Sequence, residues 1–438
     1  MSLKTTRFVL VAGMAAVLGA AVAVWNPAEG YRQATAATDY KQLDKFSQVM
    51  DAVRRSYVEE VTDEKLIDGA LSGMLSNLDP HSTYLNREMF KQMQVDTRGE
   101  FGGLGIEIVA AEGGIRVIAP IEDTPAYRAG VQAGDLIIKI GDQLAKDIPL
   151  TEAVKLMRGK PGTSVSLTIF RETAMQPIDI RIVRAVIQVR SVKSDLLAPG
   201  YAYLRIAQFQ EKTTEQLKEQ LAGLRKRSGG SFRGAVLDLR NNPGGLLDQA
   251  VEVTDLFLNK GGIVSTRSRV GSSMSFEAEK GDLLDGIPLV VLINNGSASA
   301  SEIVSGALQD NRRAILMGTK SFGKGSVQRI VPLNDGTAFK LTTSLYYTPS
   351  GRSIQATGIE PDIEVEQVAI RVEEKSKGIS ISERDLKGHL ENGNGKKSVK
   401  KPAEAEANVK MQERLAEDVQ LQRAFDLLKG LNAIQSKG

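Results

Sequence analysis

Between Tyr201 and about Val365 the sequence alternates short apolar runs with helical segments: YAYLRIAQF, EQLKEQLAGLRK, GAVLDL, LLDQAVEVTDLFL, IPLVVLI, ASEIVSGALQ and AILMG. A continuous apolar run reads as a strand buried on both faces, and a helix after each such run is the signature of a mostly parallel sheet with helical covers. The pattern also limits where chemistry can sit, because in such sheets ligands and catalytic groups collect beyond the carboxyl ends of the strands. Two loops fall there: RNNPGG after GAVLDL, and NNGSASAS after IPLVVLI.

The rest of the chain is organised around this core. From Asp39 to about Met93 apolar residues recur at helical spacing (Leu43, Phe46, Val49, Met50, Val53, then Glu64 to Leu78), until LDPHSTYL breaks the pattern at Pro80. From Glu100 to about Ile187 glycines punctuate short β-like runs, GLGIEIV, IRVIAPI, DLIIKI and SVSLTIF, around one helical piece at Leu150 to Gly159. After residue 367 comes a polar, low-complexity stretch expected to be a disordered linker. A last helical segment carrying Val409, Leu415, Val419, Phe425, Leu427, Leu428 and Leu431 is expected to dock or to oligomerise. The reading is therefore an α/β multidomain chain: residues 1–37 as signal or anchor plus linker, 38–97 helical, 98–187 an inserted β-rich domain, 188–366 the core, and 367–438 linker and C-terminal helix.

Composition excludes several chemistries. No cysteine occurs among the 438 residues, which removes disulfides, thiol nucleophiles and thiolate-held metals, and the only histidines are His81 and His389. No metal or cofactor site is expected. The formal charge of +3 and the lack of a basic stripe interleaved with aromatics argue against nucleic acid as a partner. Lys4 and Arg7 ahead of an uncharged run from Phe8 to Trp25, with Ala21-Val22-Ala23 as a candidate cleavage site, form an export signal or a retained anchor. Either places the working part in the periplasm or on the outer face of the cytoplasmic membrane.

Ser297, Ser299 and Ser301 alternate in NNGSASASEI. Ser299 and Glu302 have the S-x-x-E spacing of a helix capping box, and the same helix start would offer free N–H donors to an oxyanion. A serine nucleophile needs a base, and with histidine nearly absent, lysine is the substitute. A lysine near pKa 10.4 has to be brought to about 7, a change of about 4.6 kcal/mol that burial can supply. In MGTKSFGKGSVQRIVPL, Lys324 lies between Gly323 and Gly325 with Gln328 four residues on, and Lys320 is its competitor. The match of GTKSFGKG to a phosphate-binding loop fails, because Gly325 stands where magnesium binding requires Ser or Thr and a strand follows instead of a helix.

NNGSASASEI, GTKSFGKGSVQ, LDLRNNPGG and LDPHSTY, in their order and spacing, resemble the C-terminal processing (tail-specific) serine peptidases of bacteria and chloroplasts, over roughly Tyr40 to Val365. That resemblance implies Ser299 as nucleophile, Lys324 as general base and Gln328 as the partner that orients the lysine. It implies an oxyanion hole made by the N–H of Ala300 and of Gly244 or Gly245. It also implies that the β-rich domain is a PDZ domain, whose GLGI loop, Gly103, Leu104, Gly105 and Ile106, holds a peptide's terminal carboxylate while the next strand pairs with the peptide. Arg171 is considered as a sensor of the bound tail, with a solvated surface arginine as the alternative.

The expected function is an exported serine endopeptidase that captures apolar C-terminal tails of proteins in its PDZ groove and cleaves through an acyl-enzyme. Homo-oligomerisation through the terminal helices and an envelope adaptor protein are the expected partners besides substrate. The competing readings are a noncatalytic cell-envelope PDZ scaffold, with SASASE a simple cap, and a serine hydrolase using His81.

Overall fold

The computed structural model describes residues 40–367, apart from 122, 175 and 272, together with 409–435. The N-terminal signal or anchor and the polar linker lie outside the described residues. The chain divides into two units, residues 1–74 and 75–438. In the first unit a helix spans Tyr40–Ser56 and a second begins at Asp63, with Asp63 and Glu64 in its first turn, where negative charge suits the helix dipole. The apolar repeat of the first helix leaves Leu43, Phe46 and Val49 exposed.

In the second unit the β-rich module is an antiparallel sheet ordered Ile106–Ala111, Gly114–Pro120, Leu136–Ile140, Ser164–Phe170 and Ile178–Val183, with the short strand Gln143–Leu144 paired to Leu136–Ile140. Ile115, Ile137, Leu167, Ile169 and Ile182 fill its core, and Ala153 and Met157 of the helix Leu150–Met157 close it. The chain enters through Glu100–Gly103 and leaves through Ala185–Gln188, and these two strands pair with each other. The module therefore hangs on a two-stranded stem.

The core holds a six-stranded sheet in which Tyr201–Ile206, Gly234–Asp238, Leu289–Ile293, Ile315–Gly318 and Ile363–Glu364 run parallel in that spatial order, while Val192–Ala198 is an antiparallel edge. Helices Thr213–Arg227, Leu247–Asp255 and Ala300–Asp310 cover one face. The expectation of a mostly parallel core describes this sheet alone. A second, antiparallel sheet pairs Ala338–Tyr347 with Thr83–Leu85, Gly262–Ser268 and Ser326–Pro332, so antiparallel pairings predominate over the described residues as a whole. Its central strand, AFKLTTSLYY, is largely half-buried and mixes Thr and Ser with apolar residues, so it lacks the continuous apolar run that marks a strand covered on both faces. Thr83–Leu85, read from sequence as part of a loop, is its edge strand.

The C-terminal segment forms two helices, Val409–Glu417 and Val419–Gln435. Met411, Leu415, Leu421, Ala424 and Leu428 pack on the other face of the six-stranded sheet, against Leu197, Tyr201, Tyr203, Val236, Val290, Leu292 and Met317. Of the two expectations for this segment, docking or oligomerisation, the packing shows docking: its apolar stripe covers the chain's own sheet. An apolar stripe declares only that it must be buried, not against which surface.

Candidate active site

Parallel pairing of Asp238 with Leu292 brings the ends of two neighbouring strands level, so the loops that follow them lie side by side. Hydrogen bonds then fasten loop to loop. The Asn242 carbonyl accepts from the Ala298 N–H at 3.0 Å and from the Ser301 hydroxyl at 2.9 Å, and the Ser297 hydroxyl donates to the Leu239 carbonyl at 2.8 Å. The two serines flanking Ser299 thus brace the turn between strand and helix.

Ser299 sits at the apex of that turn with φ 55° and ψ −112°, a backbone state that costs a non-glycine residue about 1–3 kcal/mol. Its side chain is buried, and its hydroxyl lies 3.2 Å from the Tyr346 hydroxyl. Next to it, the Ala300 N–H makes no hydrogen bond among the described residues, as expected of a donor in the first turn of a helix. Gly244 packs against this corner: a methyl group there would meet the Ala298 carbonyl and Ser299 Cβ at 2.8 Å. Gly245 is pressed instead against the Phe209 carbonyl. The Gly244 N–H donates to Asn242 Oδ1 at 2.9 Å.

The structure separates the two candidate lysines. Lys320 is exposed and paired with Glu360 at 3.1 Å. Lys324 is half-buried, and its ammonium makes no hydrogen bond or ion pair among the described residues. Burial, followed by the charge of Lys340, lowers its pKa, against opposing pulls from Asp79 and Glu302. Gln328 does not meet Lys324: its amide donates to the Ser326 hydroxyl at 2.8 Å and lies 3.4 Å from the Thr342 hydroxyl. Nor is Lys324 bonded to Ser299, whose hydroxyl is on Tyr346.

Glu302 joins the serine and lysine segments. Fully buried, it accepts from the N–H of Ser299 (2.8 Å), Gly323 (2.7 Å) and Lys324 (2.8 Å) and from the Ser321 hydroxyl (2.6 Å). The capping spacing announced its bond to the Ser299 N–H, but nothing in the sequence announced the other bonds. The LDPHSTY loop also reaches the site. Asp79 accepts from the N–H of His81 and Ser82 and the hydroxyls of Ser82 and Thr342, which together outweigh burial and hold its carboxyl below the usual range. Burial and the nearby Lys324 lower the pKa of His81, against an opposing pull from Asp79. Sequence reasoning missed Tyr346 and the wider role of Glu302. Tyr346 lies 47 residues beyond Ser299 on a strand that was not read as one.

In the β-rich module Gly103, Leu104, Gly105 and Ile106 line a groove of about 150 Å³ together with Phe101, Ile108 and, from the facing helix, Val154 and Met157. The N–H groups of Leu104 and Gly105 make no hydrogen bonds among the described residues, while their carbonyls accept from Ala126 and Ile121. Arg171 is bound bidentately to buried Asp135, at 2.7 and 2.8 Å, which makes it a structural ion pair rather than a solvated side chain.

Three family models match the chain: the CtpB N-terminal domain over residues 16–89, the PDZ domain over 102–182, and peptidase family S41 over 200–365. The carboxy-terminal-processing protease of Bartonella bacilliformis is 50% identical over 395 residues, 89% of each protein. The carboxy-terminal processing protease CtpA of Bacillus subtilis is 36% identical over 336 residues, 76% of this chain and 71% of that one. The solved structure of the photosystem II D1 C-terminal processing protease covers 75% of this chain and 94% of its own, with 28% identity and a TM-score of 0.44.

Proposed function

This chain belongs to the carboxy-terminal processing proteases of peptidase family S41, and we propose that it is an exported serine endopeptidase that binds apolar C-terminal tails in its PDZ groove and cleaves through an acyl-enzyme on Ser299 with Lys324 as base. The observation that carries this reading is the conjunction at one corner of a strained, buried serine, an unbonded Ala300 N–H and a nearby loop whose half-buried lysine, Lys324, unpaired among the described residues, has a lowered pKa.

In the reaction, neutral Lys324 Nζ takes the proton of the Ser299 hydroxyl as Oγ attacks the scissile carbonyl carbon. The carbonyl oxygen becomes an oxyanion held by the Ala300 N–H and by a glycine N–H of RNNPGG, either that of Gly245 or that of Gly244 once it has left Asn242 Oδ1. The C–N bond then breaks, the lysine ammonium gives its proton to the departing amine, and an ester remains on Ser299. Lys324 next takes a proton from water as the water oxygen attacks the ester, the acyl C–Oγ bond breaks, the ammonium returns its proton to Ser299 Oγ, and the new C-terminal acid leaves. The arrangement described above is a resting one on this reading. To become active, the Ser299 hydroxyl must leave Tyr346 for Lys324, and Gln328 must turn from Ser326 toward the amine.

The export signal puts this activity outside the cytoplasmic membrane, and the exposed Leu43, Phe46 and Val49 of the first helix support self-association there. An envelope adaptor remains part of the proposal. The test is cleavage of an unfolded protein, such as denatured casein, by three variants. Ser299→Ala and Lys324→Ala should lose activity while remaining folded, and His81→Ala should keep it. Full activity in Ser299→Ala would sink the reading; loss in a folded His81→Ala alone would favour a histidine base. Amidating the substrate's C-terminus should weaken its binding at the PDZ groove.

A further inference from the structure

We infer that the C-terminal helix pair is a working part of the active site, with Asp418 and Gln420 positioning the oxyanion loop through Arg240; this rests on the Ser299 reading above. Arg240 is the first residue of RNNPGG, only 6% exposed, and its guanidinium is gripped on two edges. Asp238, at the end of its own strand, accepts from Nε at 2.9 Å and from Nη2 at 2.8 Å. On the other edge Asp418 accepts from Nη1 at 2.8 Å and from Nη2 at 2.7 Å, and Gln420 Oε1 accepts from Nη1 at 2.9 Å. Two bidentate carboxylates on one guanidinium leave it no alternative orientation.

Around this clamp the cluster is closed. The Asp238 carboxylate also accepts from the Tyr203 hydroxyl at 2.7 Å and from Arg205 at 3.1 Å, and Arg414, from the first C-terminal helix, donates to the Tyr203 hydroxyl. Both C-terminal helices therefore reach the same buried charges. From Arg240 the constraint passes along the backbone. Asn241, at φ 56°, is bonded to Asn294 through its N–H and its side chain, both at 2.9 Å. Asn242 then holds Ala298, Ser301 and the Gly244 N–H as described. Three residues, Asn241, Asn242 and Pro243, thus separate the C-terminal clamp from Gly244, and the first two are held by hydrogen bonds to the serine loop.

A merely structural role and a positioning role predict different kinetics. Asp418→Asn is the discriminating variant, because asparagine caps the Val419–Gln435 helix as well as aspartate does, the cap being the bond from the Leu421 N–H to Asp418 Oδ1. It removes the charge and one of the two acceptors for Arg240, and sets an NH2 against the guanidinium in its place. In the full-length protein the expected result is a kcat for casein cleavage lower by about 10–100-fold, the cost of a small misplacement at the reacting centre. KM should stay within about twofold, because the PDZ groove is untouched, and Ser299 labelling by a fluorophosphonate should slow in parallel with kcat. A folded Asp418→Asn with wild-type kcat overturns the inference, whatever its melting temperature. Should that variant fail to fold, Gln420→Met carries the test, with a smaller fall in kcat expected and an unchanged kcat overturning the inference. Activity surviving in Ser299→Ala would instead overturn the proposed function, which keeps the two failures distinct.

Discussion

At the scale of single residues, Ser299 is defined by what its hydroxyl touches. Tyr346 is buried, and burial raises its phenol pKa, so the hydroxyl stays protonated and available to hold the serine. Tyr346→Phe removes a single hydrogen bond worth about 1 kcal/mol. If Tyr346 stabilises the resting position of Ser299, the variant's kcat should rise by up to about fivefold, measured on casein with the melting temperature as control. A fall in kcat would make Tyr346 a contributor to the reaction instead. The roles of Ser297 and Ser301 as braces agree with their sequence positions beside Ser299, but Tyr346 was not legible. A tyrosine in LYYT has no local signature, and only the antiparallel sheet brings it to the serine.

At the scale of elements, the helix Ala300–Asp310 does more than present an N–H. Through Glu302 its first turn fastens the segment of Ser321, Gly323 and Lys324, so the backbones of Ser299 and Lys324, the proposed nucleophile and base, are held by one carboxylate. Glu302→Gln replaces an acceptor of four hydrogen bonds with a group that accepts at one atom only and sets an NH2 against N–H donors. Leaving such buried groups unpaired costs about 1–3 kcal/mol. The expected result is a lower denaturation midpoint in urea and loss of cleavage together; wild-type stability would contradict the hub role. The S-x-x-E spacing made Glu302 legible as a cap. Its reach into the glycine-rich segment was not, because that contact depends on how two strand-end loops are brought level by the sheet. The same limit explains Gln328, whose sequence distance from Lys324 suggested a partnership that the bulged strand does not form in this state.

At the scale of the whole molecule, the alternating runs located the six-stranded sheet and its two neighbouring strand-end loops, and the glycine-punctuated runs located the module on its stem. Buried apolar strands and glycine turns are local signals, so they survive in a bare sequence. The second sheet, built on half-buried mixed strands, and the final helices, whose apolar stripe found the protein's own sheet, depend on distant pairing. All of this assembly serves one claim, that Lys324 activates Ser299. Its lowered pKa fixes the sign of the pH dependence: the base works only when neutral, so activity is present above the folded pKa and is lost as pH falls through it. The most direct measurement is the rate of Ser299 labelling by a fluorophosphonate from about pH 6 to about pH 10, followed by intact mass, in the wild-type protein and in Lys324→Ala. The account predicts a wild-type rate that climbs with pH through one ionisation below the usual lysine range, and a slow rate in Lys324→Ala that lacks this ionisation. A flat wild-type profile, or the same profile in both proteins, would contradict it.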